Sequence, residues 1–400
     1  MKKNLLVCAC AMMTFALVAC SNNATVKETS AVASESANVE TTMEEVKSVY
    51  KFGGIGPTTG GAAVYGQAVK NGMEIAVNEV NAKGGINGSL VEMNFQDDEH
   101  DAEKSVNAYN SLKDWGMQVL VGTTTSAPCI AVAAESFNDN MFQITPSGSA
   151  VDCATNDNVF RVCFSDPDQG KASAQYISNN KLATNVGVIY DSSDVYSSGI
   201  RETFVQEAKS VGLNVVAEEK FTADSKTDFT TQLKKLQDAN VELVFLPFYY
   251  NEAALVLKQA DQMQFKPTFF SCDGMDGILT LENFDKALAE GVMLLTPFSA
   301  DAKDSLTQNF VNEYKQKYGE VPNQFAADAY DAVYIVKKAL EQSGAKASES
   351  HSVLCDALKN AMTQVTVDGL TGNQMKWAKN GEPNKEPKAV KIVNGEYQLQ

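Results

Sequence analysis

Histidine is almost missing from this chain of 400 residues: there are two, His100 and His351, far apart in sequence. Histidine is the commonest general base and metal ligand, so an enzyme built on this chain would need unusual equipment. Basic residues are also in short supply. Against 50 Asp and Glu stand 33 Lys and Arg, a formal charge of −17, whereas a phosphate backbone or an anionic membrane demands a clustered basic face. That balance argues against nucleic-acid binding. No Cys-x-x-Cys occurs, which disfavours a zinc or redox motif. After residue 20 no run approaches the roughly eighteen continuous apolar residues that a membrane span needs. What the chain has is apolar content, 44% of its residues, enough for a large core and, at this length, for two domains rather than one.

Lys2 and Lys3 precede an apolar run from Leu5 to Ala19 that ends at Cys20, the order of segments in a secretory signal. Leu17-Val18-Ala19-Cys20 resembles a bacterial lipobox, whose cysteine becomes the lipidated first residue of the exported chain. A signal peptide over 1–19, lipidation at Cys20 and an extracytoplasmic, membrane-anchored location are therefore expected. Cleavage there removes two lysines and no acid, so the charge moves from −17 to −19. From Ser21 to about Ser48 the chain is dominated by Ser, Thr, Asn, Ala and Glu and has no aromatic residue, a composition that cannot bury enough surface to offset chain entropy. Residues 20–48 are read as a lipid-anchored flexible linker with a reach of roughly 30 Å. Five cysteines follow, Cys129, Cys153, Cys163, Cys272 and Cys355, an odd number that leaves at least one thiol unpaired outside the cytosol. Cys153 and Cys163 are close enough in sequence to bridge.

From Val49 onward short apolar runs alternate with amphipathic stretches, the pattern of parallel sheets covered by helices. Strands are expected at 49–55, 90–95, 118–121 and 141–144. A run at 160–163 then starts a second series, continuing at 186–190, 213–218, 243–246, 268–270 and 292–295. Helices fall between them, the first two at 63–82 and 102–115. After Pro297 come longer helices near 305–318, 325–342 and 350–362, then strands with turns at Asn380-Gly381 and Asn394-Gly395.

Gly54-Ile55-Gly56-Pro57-Thr58-Thr59-Gly60-Gly61 lies between a strand and a helix like a dinucleotide loop. Its third glycine comes one residue late, Pro57 interrupts the turn, and Asp97 stands too far on to bind a ribose. The plain reading is a loop beside a ligand cleft. The acidic run Asp97-Asp98-Glu99-His100-Asp101 reads as a solvated loop, since five consecutive side chains diverge rather than converge on a metal. Pro146-Ser147-Gly148-Ser149 is not the nucleophile elbow of a serine hydrolase. What remains is hydroxyls at strand ends. Thr123-Thr124-Thr125-Ser126 crowds the turn before a helix, where unpaired N–H groups and the helix dipole hold a carboxylate without an arginine. One hydroxyl would suffice as a cap. A second set, Thr145 to Ser149, follows the next strand.

The same positions carry a family resemblance. Gly56-Pro57 with Tyr65-Gly66, Asn81-Ala82-Lys83-Gly84-Gly85-Ile86-Asn87-Gly88, Gln96-Asp97-Asp98, the 122–126 turn, Ile144-Thr145-Pro146-Ser147, Val159-Phe160-Arg161, Asp168-Gln169-Gly170, Tyr196 to Gly199, Phe325 to Ala332 and Gly369-Leu370-Thr371-Gly372 run in order along the body. In these the chain resembles the bacterial type I periplasmic-binding-protein family, in the leucine/isoleucine/valine-binding branch that feeds ABC importers. The resemblance implies two α/β lobes of parallel sheet flanked by helices, joined by a three-stranded hinge and closing on a ligand. Lobe one would be 49–167 plus 297–385, and lobe two 168–296 plus 386–400.

It also implies roles. The carboxylate of an amino acid, branched-chain or otherwise apolar, would be held at Ser126. Its ammonium would be held at Ser147 and Ser149 and by an acid from lobe two, a place occupied by Asp273. Tyr65, Tyr196 and Tyr249 match aromatic positions around the ligand. A zwitterion needs a donor-rich and an acceptor-rich pole, and this assignment supplies both. The family acid is usually Glu, so Asp273 is one methylene short, and Cys272 beside it is not expected. The implied protein is a monomer that performs no catalysis, uses no cofactor or metal, and delivers its ligand to ABC permease and ATPase subunits. A ligand-sensing receptor of the same fold, or a binder of another small ligand such as an amide, is the alternative.

Overall fold

Two sheets are built one after the other along residues 48–400, the part of the chain that the computed structural model describes. The expected signal peptide, Cys20 and the linker up to residue 47 lie outside those residues. The first sheet takes β1 (Tyr50–Gly56), α1 (Ala63–Ala82), β2 (Val91–Asp97), α2 (Ala102–Trp115), β3 (Val119–Gly122), α3 (Ser126–Asn138), β4 (Phe142–Thr145) and β5 (Val159–Arg161). Its strands are all parallel, in the order β2-β1-β3-β4-β5. The second takes α4 (Asp166–Asn179), β6 (Asn185–Asp191), α5 (Val195–Ser210), β7 (Asn214–Phe221), α6 (Thr230–Asp238), β8 (Leu243–Leu246), α7 (Tyr250–Gln262), β9 (Thr268–Ser271) and β10 (Met293–Thr296). Then α8 (Ser305–Tyr318), α9 (Gln324–Ser343) and α10 (His351–Met362) return to the first sheet, and β11 (Lys388–Val393) and β12 (Glu396–Leu399) complete the second. Its order is β12-β11-β10-β9-β8-β6-β7, with β11 and β12 antiparallel at one edge.

Both sheets are covered on both faces, which is why their central strands read as unbroken apolar runs. Val119 and Val121 of β3 pack into the cluster that holds α1, α9 and α10, whereas Leu120 packs with α2 and α3. In β8, Leu243 and Phe245 join α4 and α5, and Val244 and Leu246 join α7. Fully burying each such side chain stabilises the fold by roughly 1.5–3 kcal/mol. Helix α9 lies close along α1, because Gly72 leaves room for the backbone of Ala326 where a Cβ would collide with it.

Local signals set most helix ends. Asp101, Asp194, Asp304, Asn323 and Ser350 cap α2, α5, α8, α9 and α10 with their side chains, and Gly116, Gly319 and Gly344 end α2, α8 and α9 in the left-handed conformation. Helix α3 has no side-chain cap. The Asn394-Gly395 turn joins β11 to β12 with φ of 53° and 74°. Asn380-Gly381 turns the chain between isolated bridges rather than between two strands. The run at Phe160 does not start the second sheet: β5 pairs with β4 and closes the first one. An apolar run shows that a strand forms but not which sheet it joins.

Strand order fixes where a ligand can bind. In the first sheet α1 and α3 leave β1 and β3 towards opposite faces, and in the second α5 and α7 leave β6 and β8 likewise. Such divergence opens a crevice at the carboxyl ends of the strands.

Candidate functional site

The loops at those carboxyl ends meet around one small cavity, lined by Tyr65, Thr124, Thr125, Ser126, Ser147, Tyr196, Tyr249, Asp273, Gly274 and Phe325. The space left between them is about 10 Å³, room for a single water molecule. An amino acid therefore enters only if the walls part.

The first wall is made of hydroxyls and a helix end. Thr123 and Thr124 turn their hydroxyls to backbone carbonyls, those of Thr125 and Ile55, each at 3.3 Å. Thr125 precedes α3 but does not cap it: its Oγ1 lies 2.8 Å from Nδ1 of His100. The buried start of α3 thus keeps its first-turn N–H groups without a side-chain acceptor, at the cavity wall. Ser126 Oγ accepts from the backbone N–H of Ala150 at 3.2 Å, and Ser147 Oγ donates to the carbonyl of Thr124 at 2.5 Å. The two hydroxyl turns are stitched together. Arg161, wholly buried, fixes the second turn by donating to the carbonyls of Ser149, Ala150 and Val151, and its Nε lies 3.2 Å from Glu382.

The second wall is aromatic and acidic. Tyr196 donates its hydroxyl proton to Asp273 Oδ1 at 2.6 Å and accepts from the N–H of Gly274 at 2.8 Å. Its ring stacks on Tyr249 with centroids 4.9 Å apart. Tyr65 reaches across from α1, donating to the carbonyl of Gly274 and accepting from the N–H of Tyr250, the first residue of α7. Phe325, at the start of α9, packs 4.3 Å from the Tyr65 ring. Burial pushes the Asp273 carboxyl up to about 7, against the hydrogen bond from Tyr196 that favours its charged form. Behind it lies Asp166, also wholly buried. Burial raises its pKa well above the ordinary carboxylate range, and the nearby Asp273 adds to that. Ser149 Oγ and both Asp166 carboxylate oxygens lack a well-formed hydrogen bond, as does Nε2 of Gln169.

A matching family model covers residues 49–396 and describes periplasmic binding proteins. The chain belongs to the periplasmic binding protein family. Its relatives include the Leu/Ile/Val-binding protein BraC3 of Rhizobium johnstonii, 28% identical over 322 residues that cover 80% of this chain and 85% of the relative. Among solved structures it is similar to the substrate-binding protein LivJ of the branched-chain amino acid transporter of Streptococcus pneumoniae, in complex with isoleucine. That match has 27% identity and a TM-score of 0.78 over 88% of this chain and 99% of the other. A solute-binding protein of an ABC transporter from R. palustris, in complex with benzoate, shares the fold at 19% identity, with a TM-score of 0.78 over 88% of this chain and 95% of that one. These are binding proteins rather than enzymes, and the family is extracytoplasmic.

In this binding protein, Tyr65, Ser126, Ser147, Tyr196, Tyr249 and Asp273, all singled out from sequence, line one cavity. Ser149 does not line it and lies behind, beside Asp166. Sequence reasoning missed Asp166, Gln169, His100 and Phe325. Asp166 stands in Ser165-Asp166-Pro167-Asp168, which reads as an ordinary helix start and is one, since Ser165 caps α4. Only its burial sets it apart. The acidic run 97–101 uses its carboxylates locally. Asp97 accepts from the N–H groups of Thr58 and Glu99 and from the Thr59 hydroxyl, holding the glycine-rich loop; Asp98 accepts from the N–H of His100; Asp101 caps α2. Among the described residues no group of three or more His, Cys, Asp or Glu converges as a metal site, and no helix is long and apolar enough to cross a membrane. A larger hollow of about 800 Å³ lies between α8 and residues 276–286. Its lining includes Lys286, Lys303 and Lys315 and the buried Asp276 and Asn323, and it shares none of the residues of the small cavity.

Proposed function

We propose that the chain is a lipid-anchored capture protein that binds an amino acid, branched-chain or otherwise apolar, between two lobes and hands it to an ABC importer. One observation carries the reading. The uncapped, buried start of α3 and the buried Asp273 line the same cavity from different sheets, which is the arrangement a zwitterion requires. The ligand carboxylate takes the N–H groups at the start of α3 and the Ser126 hydroxyl. The ammonium takes Asp273, with Ser147 contributing and Ser149 and Asp166 behind. Tyr65, Tyr196, Tyr249 and Phe325 enclose the apolar side chain.

The relatives support the ligand class, since the curated ones bind leucine, isoleucine and valine by name and LivJ is in complex with isoleucine. The division into lobe one as 49–167 plus 297–385 and lobe two as 168–296 plus 386–400 is supported by the chain's three passages between the sheets, after β5, after β10 and before β11. Those passages serve as the hinge. The lipobox at Cys20 supports anchoring, and with it delivery to a permease in the same membrane as a monomer. Benzoate, a carboxylate without an ammonium, would face Asp273 and Asp166 with nothing to offset them. Calorimetry against the twenty amino acids and benzoate tests the proposal. Tight binding of an apolar amino acid and none of benzoate is expected; binding of benzoate alone would overturn it.

A further inference from the structure

All five cysteines of the body are buried free thiols, yet two of them are neighbours. Cys129, in the first turn of α3, and Cys153, in the short helical turn Val151–Ala154, pack with Ala150 into one cluster. Spacing left Cys153 and Cys163 able to bridge, but the neighbour that the fold packs against Cys153 is Cys129, 24 positions before it. The Cys153 thiol lies 3.6 Å from the carbonyl oxygen of Ser126, and the Cys129 sulfur lies 3.6 Å from Nε2 of Gln143. Each thiol shifts the other's pKa, that of Cys129 down and that of Cys153 up. Gly148 closes over them, since a Cβ there would come within 2.9 Å of the Cys129 sulfur. Cys272 and Cys355 belong to other clusters.

We infer that Cys129 and Cys153 form a disulfide in the exported protein, a covalent brace directly behind the hydroxyl wall of the cleft. Family membership places the body outside the cytoplasm, where disulfides form and persist. The oxidant is the disulfide of a thiol–disulfide oxidoreductase. The Cys129 thiolate attacks one of its sulfurs and releases the other as a thiolate, leaving a mixed disulfide. The Cys153 thiolate then attacks the Cys129 sulfur and releases the second oxidant sulfur. Two protons and two electrons leave the pair, and the oxidant ends as a dithiol. Cys129 suits the attacking role. The neighbouring Cys153 thiol, the hydroxyls of Thr145 and Thr123 and the charge of Arg161 hold its pKa below the ordinary thiol value, against burial. Both sulfurs are fully buried in the finished fold, so exchange precedes closure of the core. The bond would tie the first turn of α3 to the second hydroxyl turn, a link otherwise carried by the Ala150 N–H to Ser126 Oγ contact and the Cys153 thiol.

The test is to express the full chain with its own N-terminus in a bacterium, recover it from outside the cytoplasm, denature it in iodoacetamide without reductant, and map peptides by mass spectrometry. Expected are alkylated Cys163, Cys272 and Cys355 with a linked Cys129–Cys153 peptide pair, and all five alkylated only after reduction. Five alkylated thiols without reductant, or a linkage of other cysteines, would overturn the inference. As a second measurement, wild-type protein unfolded and refolded in dithiothreitol should melt about 4 °C below the untreated protein, and the same treatment should leave the Cys129→Ser/Cys153→Ser variant unmoved. A wild-type Tm indifferent to reductant counts against the brace. Masses report the pairing whatever the cleft binds, so this result and the ligand assignment fail independently.

Discussion

Ser126 and Asp273 face the same small cavity from different sheets, yet their polarity has different origins. Around Ser126 it comes from the end of a helix and from hydroxyls that are bonded into the backbone; none of the wall's residues that line the cavity carries a carboxylate or an amine. Around Asp273 it comes from a carboxyl whose charge burial makes costly, eased by the Tyr196 hydroxyl. The hydroxyl wall is permanent, held by Arg161 from behind, while the acidic wall becomes a full counter-charge only when a cation arrives or the pH is high enough. A net charge of −17 gives no steering to a zwitterion, whose own net charge is near zero, so selectivity rests on these two walls.

The largest expected effect falls on the acidic wall. Asp273→Asn keeps the shape and removes the charge, leaving an ammonium buried without its partner, a loss of about 3–5 kcal/mol or roughly 10²–10⁴-fold in Kd. Ser126→Ala removes one hydroxyl from a pole that keeps its N–H groups, costing about 1–2 kcal/mol, roughly tenfold. Calorimetry with leucine, isoleucine and valine on both variants ranks the walls. Equal losses would mean that the permanent wall is not as redundant as its construction indicates.

Next in size is the effect of pH, which should move affinity and stability in opposite directions. The Asp273 carboxyl titrates near 7 in the free protein, so as pH falls through 7 the ammonium meets a neutral acid and Kd should rise, by up to tenfold per unit below it. The sign for stability is reversed. An acid with its folded pKa raised above the unfolded value destabilises the native state at high pH, and the penalty fades as pH falls from about 7 towards 4. Asp166 is shifted up in the same direction, and Asp276 and Asp328 reach about 6. The ligand-free protein should therefore show a higher Tm near pH 5.5 than at pH 8, read by calorimetric scans. A Tm that rises with pH over that range would mean that these acids are charged and paired in the fold.

These contrasts also mark what could be read from sequence. The hydroxyl wall is local: Thr123 to Ser126 lies between a strand and a helix in one stretch of chain, so its position at a helix end follows from periodicity alone, and helices such as 63–82 and 102–115 come out with the same bounds. The acidic wall is assembled from distant segments. Tyr196, Tyr249 and Asp273 have no local signature and were reached only through family resemblance. Asp166 is a helix-start acid by every local rule, and its burial depends on α5 packing against α4, where a Cβ added at Gly199 would come within 3.3 Å of the Asp166 carboxylate. The placement of Phe160 failed for the same reason, since sheet membership is a long-range fact.

The smallest expected effect tests how the walls are joined. The His100 ring lies edge-on to Tyr249 with centroids 5.4 Å apart, and its Nδ1 engages Thr125 Oγ1. Burial lowers its pKa, so the ring is neutral at pH 7 and acts through that bond. While His100 holds the Thr125 hydroxyl, α3 stays uncapped and its N–H groups remain for the ligand. His100→Ala frees that hydroxyl to turn back as a cap. Because Pro128 at the third helical position has no N–H, the donor it would take is Ala127, one of the groups offered to the carboxylate. The cost should be about 1 kcal/mol, a roughly fivefold rise in Kd. Loss of the Tyr249 contact alone could produce the same number, so the double variant His100→Ala/Thr125→Val decides. Without a hydroxyl at 125 no competing cap forms, and most of the affinity should return. A double variant no tighter than His100→Ala would show that His100 acts on the aromatic wall and not through the helix end.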